Sequence, residues 1–164
     1  MPSIAYTERH ETALVALSAG TCAAASTARC HRTNDSQYLQ MQRAYGRSGG
    51  LLSGTDAAHR LRSHCDQPLS TLARWIVTRT VVSFEWHAHI LVPMFQFDPT
   101  DMALKPIVAD VLREFHSVLD DWDCACWFAE PNTWLGDTAP VDAVTTQPQN
   151  VLCAARTDRF VARG

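Results

Sequence analysis

The sequence predicts a mainly α-helical protein with one β-hairpin. Three observations carry that prediction. From Leu51 onward, apolar residues recur mostly at three- and four-residue spacing. Strict alternation occurs once, where Val82, Phe84 and Trp86 interleave with Ser83 and Glu85 before a return run from Ile90 to Phe97. Pro68, Pro106, Pro140 and Pro148 each stand where a helix can open, because a first turn has no use for the missing amide.

Composition narrows the function classes. The chain has 164 residues, enough for one domain or two small ones, and 46% of them are hydrophobic, so a core is available. Residues 1–97 hold nine arginines against six acids, a balance of +3, and residues 98–164 hold four arginines and Lys105 against eleven acids, a balance of −6. A basic front and an acidic back suit nucleic acid at one end and a different partner at the other. No run reaches the roughly 18 to 20 apolar residues of a membrane span. Glu8, Arg9, His10 and Glu11 precede the mild stretch Thr12–Ala25, and acids there argue against a secretory signal. A cytoplasmic protein is expected. Cys22, Cys30, Cys65, Cys124, Cys126 and Cys153 are expected as reduced thiols, since a chain with this much core has no need of disulfides. Cys124 and Cys126 are too close in sequence for a zinc knuckle, so no metal and no cofactor is expected.

Residues 1–50 read as a weakly ordered N-terminal arm. It holds one short helix over Tyr38–Tyr45, with Tyr38, Met41 and Tyr45 on one side, and a Gly46–Gly50 linker. A further helical stretch is expected over Thr12–Ser18. Residues 51–98 read as helix, turn, helix, hairpin. Ser53 with Asp56 three residues on is a capping-box variant, and Ala57, Ala58, Leu61 and Cys65 mark the inner side of the helix it opens. Asp66-Gln-Pro68 starts the next helix, with Leu69, Leu72, Ala73 and Ile76 facing inward. His87-Ala-His89 is the expected hairpin turn, and Pro93 places its strand at an edge or a bend.

Residues 99–164 read as a helical module. Lys105-Pro106 opens a helix with the apolar stripe Ile107, Val108, Val111, Leu112, Phe115, Val118 and Leu119. Asp120-Asp121 caps a second helix carrying Trp122, Cys126, Trp127 and Ala129, which Pro131-Asn132 ends. Two of Trp122, Trp127, Phe128 and Trp134 are expected in the core. Val151, Leu152, Ala155 and Phe160 face inward on the last helix, and Arg156, Arg159 and Arg163 gather near its end.

The order over residues 51–97 is that of a winged helix-turn-helix, whose second helix enters the major groove. Ser70, Thr71 and Arg74 would then point outward, with Arg79 near the helix end. Arginine suits guanine and hydroxyls suit phosphates, so these four are the candidate DNA-binding residues. Several small DNA-binding proteins are similar in following this order with Pro-x-x-Gln-Phe, here within Val92-Pro-Met-Phe-Gln-Phe-Asp98.

The stretch Trp127-Phe-Ala-Glu-Pro-Asn-Thr-Trp-Leu-Gly136, running on into Ala139-Pro-Val-Asp-Ala-Val144, hands one helix over to another through a Pro-Asn stop and a Leu-Gly turn. It resembles the toxin-binding domain of antitoxins of the MbcA/ParS/Xre family. The resemblance implies a module over residues 104–164 that covers the active-site cleft of a partner toxin, commonly an NAD-consuming enzyme of RES type. Carried over by motif, the toxin-binding candidates are Trp127, Pro131, Asn132, Trp134, Leu135, Gly136, Pro140, Val141 and Asp142. The family's second glycine is Asp137 here, and its capping threonine is Ala139, which removes a cap worth ~1 kcal/mol unless Asp137 or Thr138 substitutes.

The expected partners are therefore a cognate protein toxin encoded nearby, operator DNA, and a second copy in a homodimer, with no membrane and no small-molecule substrate. The alternative is a stand-alone DNA-binding regulator with no toxin. An enzyme is not expected. Gly49-Gly-Leu-Leu-Ser-Gly54 lacks the lysine of a phosphate loop, there is no Gly-x-Ser-x-Gly elbow, and Asp120, Asp121 and Asp123 fit capping.

Overall fold

A computed structural model of the chain describes residues 34–163. Contacts divide the chain between Tyr38 and Leu39, and of the earlier unit only 34–38 are described, all helical. Helix α1 covers residues 34–46. The weakly ordered arm expected over 1–50 is thus corrected from residue 34 onward. The helix read over Thr12–Ser18 lies outside the described residues. Met41 and Tyr45 are fully buried, which is the reason this polar-looking stretch holds its fold.

After α1 come β1 (Leu51–Ser53), α2 (Gly54–Leu61), α3 (Pro68–Val77), β2 (Phe84–Trp86) and β3 (His89–Pro93). The three strands form one antiparallel sheet in the order β1-β3-β2, with Leu52 opposite Val92 and Glu85 opposite Ile90. The hairpin is present but shorter than expected, since its first strand leaves out Val82 and the return strand read as far as Phe97 ends at Pro93, whereas β1 is an addition. It lies between the Gly46–Gly50 linker and the helix that Ser53 caps, in a stretch with no alternation to mark a strand. Gly49 and Gly50 both hold left-handed backbone, and a Cβ on Gly49 would sit 2.8 Å from the Cβ of Met94. Those glycines let the chain turn out of α1 close enough to β3 to pair with it. Pro93 ends the central strand, where the chain bends into the 3-10 turn Met94–Gln96, so it marks a bend and not an edge.

The hairpin turn is His87-Ala88, both with positive φ, and His89 already pairs with Trp86. Positive φ at both central positions suits the right-handed twist of the strands. The wing-like hairpin is not free: Trp86 stacks on Trp122 at 5.4 Å, and Phe84 meets Trp122 edge-on at 5.4 Å.

Ser53 caps α2 by accepting from the Asp56 amide, and Ala57, Ala58 and Leu61 are buried with Cys65 half-buried, as the pattern predicts. On α3 the inward column differs. Leu72 is buried and Trp75 and Ile76 are half-buried, while Leu69 is 65% exposed and Ala73 is exposed. Both columns have helical spacing, and the 6.2 Å contact of Trp75 with Phe97 decides between them because the indole buries far more area than alanine.

The remaining elements are α4 (Pro106–Phe115), α5 (Asp121–Ala129), a 3-10 turn (Thr133–Leu135), α6 (Pro140–Ala143) and α7 (Pro148–Arg163). Helices α4 and α7 pack along each other. Val108, Val111, Leu112 and Phe115 are buried in α4, with Val151, Leu152 and Ala155 buried in α7. Phe160 corrects the expectation for α7: it is 78% exposed, one helical turn beyond exposed Arg156 on the same side of the helix. Tyr45, Phe95 and Phe128 form a buried aromatic stack, with centroids 5.4 and 5.0 Å apart, that joins α1, the Met94–Gln96 turn and α5. No helix among the described residues is long and apolar enough to cross a membrane.

Candidate partner-binding surface

Asp120 accepts from the Asp123 amide at 2.8 Å and starts α5, as the sequence predicts. Burial, with Asp120 adding to it, raises the Asp123 carboxyl above its ordinary value. The helix is nearly unsided: Cys124, Ala125, Cys126, Phe128 and Ala129 are all buried. Of the four aromatics expected to supply two core residues, Phe128 alone is fully buried. Trp122 and Trp127 are half-buried and Trp134 is 57% exposed. Burial pushes both the Cys124 and Cys126 thiols up to about 12, so these are inert packing groups.

The loop after α5 is closed by its own backbone. Asn132 pairs with Thr138, the Asn132 carbonyl accepts from Leu135 and Asp137, and its side chain accepts from the Trp134 amide at 2.9 Å. Gly136 and Asp137 take successive left-handed conformations, φ 63° and 61°. The aspartate in place of the family's second glycine is therefore accommodated, as a short polar side chain allows. Ala139 leaves α6 without a side-chain cap, and neither Asp137 nor Thr138 supplies one.

Three of the candidates converge on one acceptor. Asp158 of α7 receives Trp127 Nε1 at 2.8 Å and Asn132 Nδ2 at 2.7 Å on Oδ2, and Trp134 Nε1 at 2.8 Å on Oδ1. Trp127 also meets Phe115 and Phe128 edge-on, so its ring is fixed from both sides. Trp134 is different: its indole is pinned by the carboxylate while more than half its surface faces solvent. An aromatic ring held rigid and exposed is ready-made contact area with little entropy left to lose. Val161, 66% exposed, lies one helical turn beyond Asp158 on the same side of α7.

The other candidates divide between frame and surface. Asn132, Pro140 and Val141 are buried and hold the loop's shape. Pro131, Gly136 and Asp142 are exposed and Leu135 is half-buried. Glu130, Asp137 and Asp142, which flank Trp134 in the sequence, are exposed acids that enter no ion pair among the described residues.

The DNA-binding candidates separate as well. Ser70 and Arg74 are exposed on α3 and Thr71 is half-buried beside them. Arg79 is not with them. Its guanidinium pairs with Asp121 at 2.8 Å and donates to the carbonyls of His116 and Leu119. It ties the end of α3 to the turn between α4 and α5, and its positive φ of 49° turns the backbone so that it can. The outer face of α3 also exposes Leu69 and Val77, the latter by 82%.

Sequence reasoning missed Asp158, and it named Gln96 only within the Pro-x-x-Gln-Phe segment without reading its role. Asp158 is the only acid in the last helix, and its signal was that isolation among three arginines. Arg156 and Arg159 both pair with Glu114 of α4, which leaves the carboxylate to the indoles. Gln96 is fully buried, and its side chain accepts from the Val82 amide at 2.7 Å and donates to the carbonyls of Val82 and Pro93. It supplies for residue 82 the bonds that a strand neighbour would have given. Among the described residues no group of three or more His, Cys, Asp or Glu side chains is placed to hold a metal. Comparison of the chain with protein-family models, with curated proteins and with solved structures finds no match in any of the three.

Proposed function

We propose that this chain is an antitoxin-like binding protein whose C-terminal module occludes a partner toxin. The observation that carries the reading is Trp134, exposed and yet locked by Asp158 at the tip of a self-closed loop. The resemblance of that loop to the antitoxin pattern gives the partner class, an NAD-consuming enzyme. Charge supports it. An enzyme that takes a dinucleotide needs positive potential for the pyrophosphate, and the acids flanking Trp134 in the sequence complement such a cleft. The proposal places both proteins in the cytoplasm and makes the antitoxin a homodimer.

The test begins with a tagged full-length chain expressed in its host. A near-stoichiometric enzyme encoded next to it should copurify, and its NAD consumption should be blocked by the wild-type chain and restored by Trp134→Ala. If no such partner is retained and cellular NAD is unaffected by deleting the gene, the reading fails.

Autoregulation through α3 belongs to the same proposal, and one observation keeps alive its alternative, a stand-alone regulator. Arg74 is exposed and makes no ion pair among the described residues, so its guanidinium is available to a phosphate or a guanine. Arg79 leaves the DNA set, because its fork is committed to Asp121 and two carbonyls.

A further inference from the structure

We infer that the cavity between the α1–β1 turn, the end of α2 and the loop after Phe97 binds a small organic phosphate, a monoester with an apolar body. This inference stands on different residues from the partner-binding surface and does not depend on it. The cavity holds about 510 Å³. That is within the roughly 300 to 1,000 Å³ of ordinary small-molecule sites.

Its walls are of two kinds. Arg47, Arg60 and Lys105 contribute three cationic side chains, with His64 beside them, against the single carboxylate of Asp98. Met94, Phe97 and Met102 contribute an apolar floor. Arg47 and Arg60 enter no ion pair or side-chain hydrogen bond among the described residues. The contrast with α4 and α7 is sharp, where Arg113, Arg156 and Arg159 all have carboxylate partners. Like charges gathered around a concave apolar surface focus a positive field into it, and an anion relieves the repulsion.

Lys105 is placed for this. Its ammonium donates to the Phe95 carbonyl at 2.6 Å and to Thr145 Oγ1 at 3.2 Å, which uses two of its three hydrogens. Burial lowers its pKa from the ordinary lysine value, with Asp98 opposing, so a second anion nearby would favour its charged form. The excess of two positive charges matches a phosphate monoester dianion. Arginine forks suit its oxygens, and the methionine and phenylalanine side chains suit an aromatic or aliphatic body. Met102 holds left-handed backbone, φ 56°, and strain of this kind gathers at ligand sites.

The test uses the full chain and 1-naphthyl phosphate, titrated by fluorescence anisotropy. Saturable binding is expected at submillimolar concentration. Arg47→Gln with Arg60→Gln should weaken it by about tenfold or more, and Arg60→Glu should weaken it further, with thermal unfolding unchanged because both side chains are exposed. Inorganic phosphate, which lacks the body, and 1-naphthalenemethanol, which lacks the charge, should each bind at least about tenfold more weakly. The inference is overturned if binding does not saturate by millimolar probe, if the double variant binds as well as wild type, or if the alcohol binds as well as the phosphate. Displacement of the probe by duplex DNA at equal phosphate concentration would also overturn it, because the cations would then belong to a nucleic-acid footprint.

Discussion

Residues 51–98 and residues 99–164 use their arginines in opposite ways. In the later segment the arginines have partners within the segment, and Glu130, Asp137 and Asp142 are the acids left without an ion pair near its loop. Glu114 takes Arg156 and Arg159, Arg113 pairs with Asp110, Arg163 donates to Ser117, and Asp158 gathers three N–H groups. In the earlier segment Arg60, Arg62 and Arg74 are exposed and without ion pairs among the described residues, and Arg79 reaches across to the later one. The difference teaches what each segment can offer. The later one presents a fixed shape, with a pinned indole at its tip. The earlier one presents exposed arginines whose guanidiniums no carboxylate among the described residues occupies.

The comparison breaks most completely where the two segments share a core. Phe128 is fully buried against Phe95, so Phe128→Ala should cost about 3 to 5 kcal/mol. Urea unfolding should show one transition moved to lower concentration. Two separated transitions would mean that the segments fold independently.

Removing the hub of the later segment comes next. Asp158→Ala leaves Trp127, Asn132 and Trp134 without their acceptor, at about 2 kcal/mol. Trp134 should gain mobility, read as a loss of fluorescence anisotropy relative to wild type, and partner binding should fall with it. An unchanged anisotropy would show that the loop holds the ring without the carboxylate.

Arg79 and Arg74 sharpen the comparison as a pair. Arg79→Ala should cost roughly 1 to 2 kcal/mol, because a partly buried ion pair and two carbonyl bonds are lost. Arg74→Ala should stay within about 0.5 kcal/mol, as exposed sites do, while weakening DNA binding in a gel shift at matched salt. The reverse order of stabilities would remove Arg79 as the tie between segments. Gly136→Ala falls between the two, at about 1 kcal/mol for an alanine held at φ 63°. Thermal denaturation measures it.

The smallest effect is a reactivity and not a stability at neutral pH. Iodoacetamide at pH 8 should label exposed Cys153 well before Cys124 and Cys126, read by peptide mass spectrometry, because thiols pushed up to about 12 hold almost no thiolate there. The sign for stability follows from the same shift. The unfolded chain gives up these protons near the ordinary value of 9.0, so the contribution is intact below that pH and is lost as pH rises toward about 12. Base-induced unfolding that begins in this window is the expected result.

Most helix boundaries were legible because local chemistry sets them. Ser53 and Asp120 cap as read, and Pro68, Pro106, Pro140 and Pro148 open the helices they were assigned. What escaped depends on partners distant in sequence. The side of α3 that turns inward is fixed by Trp75 meeting Phe97, and β1 exists because β3 offers it an edge. The hairpin turn carries no glycine, so its positive φ angles leave no compositional mark. Of the candidate site, the motif residues were legible and their common acceptor was not. Asp158 lies 24 residues beyond Trp134, and nothing local relates them.

The hydroxyl of Tyr45 donates to the carbonyl of Ala125, 80 residues further on, at 2.6 Å in a fully buried site. A ribosome adds about 5 to 20 residues each second, so several seconds separate the appearance of these two groups. Throughout that interval the helix bearing Met41 and Tyr45 has no finished core to enter, and its apolar side faces water or whatever chaperone is at hand. Once α5 emerges, the ring is captured between Phe95 and the new helix, and the loop of chain between them closes. Nascent chains cut short before Ala125 should therefore stay protease-sensitive near Tyr45, and those extended past α5 should not.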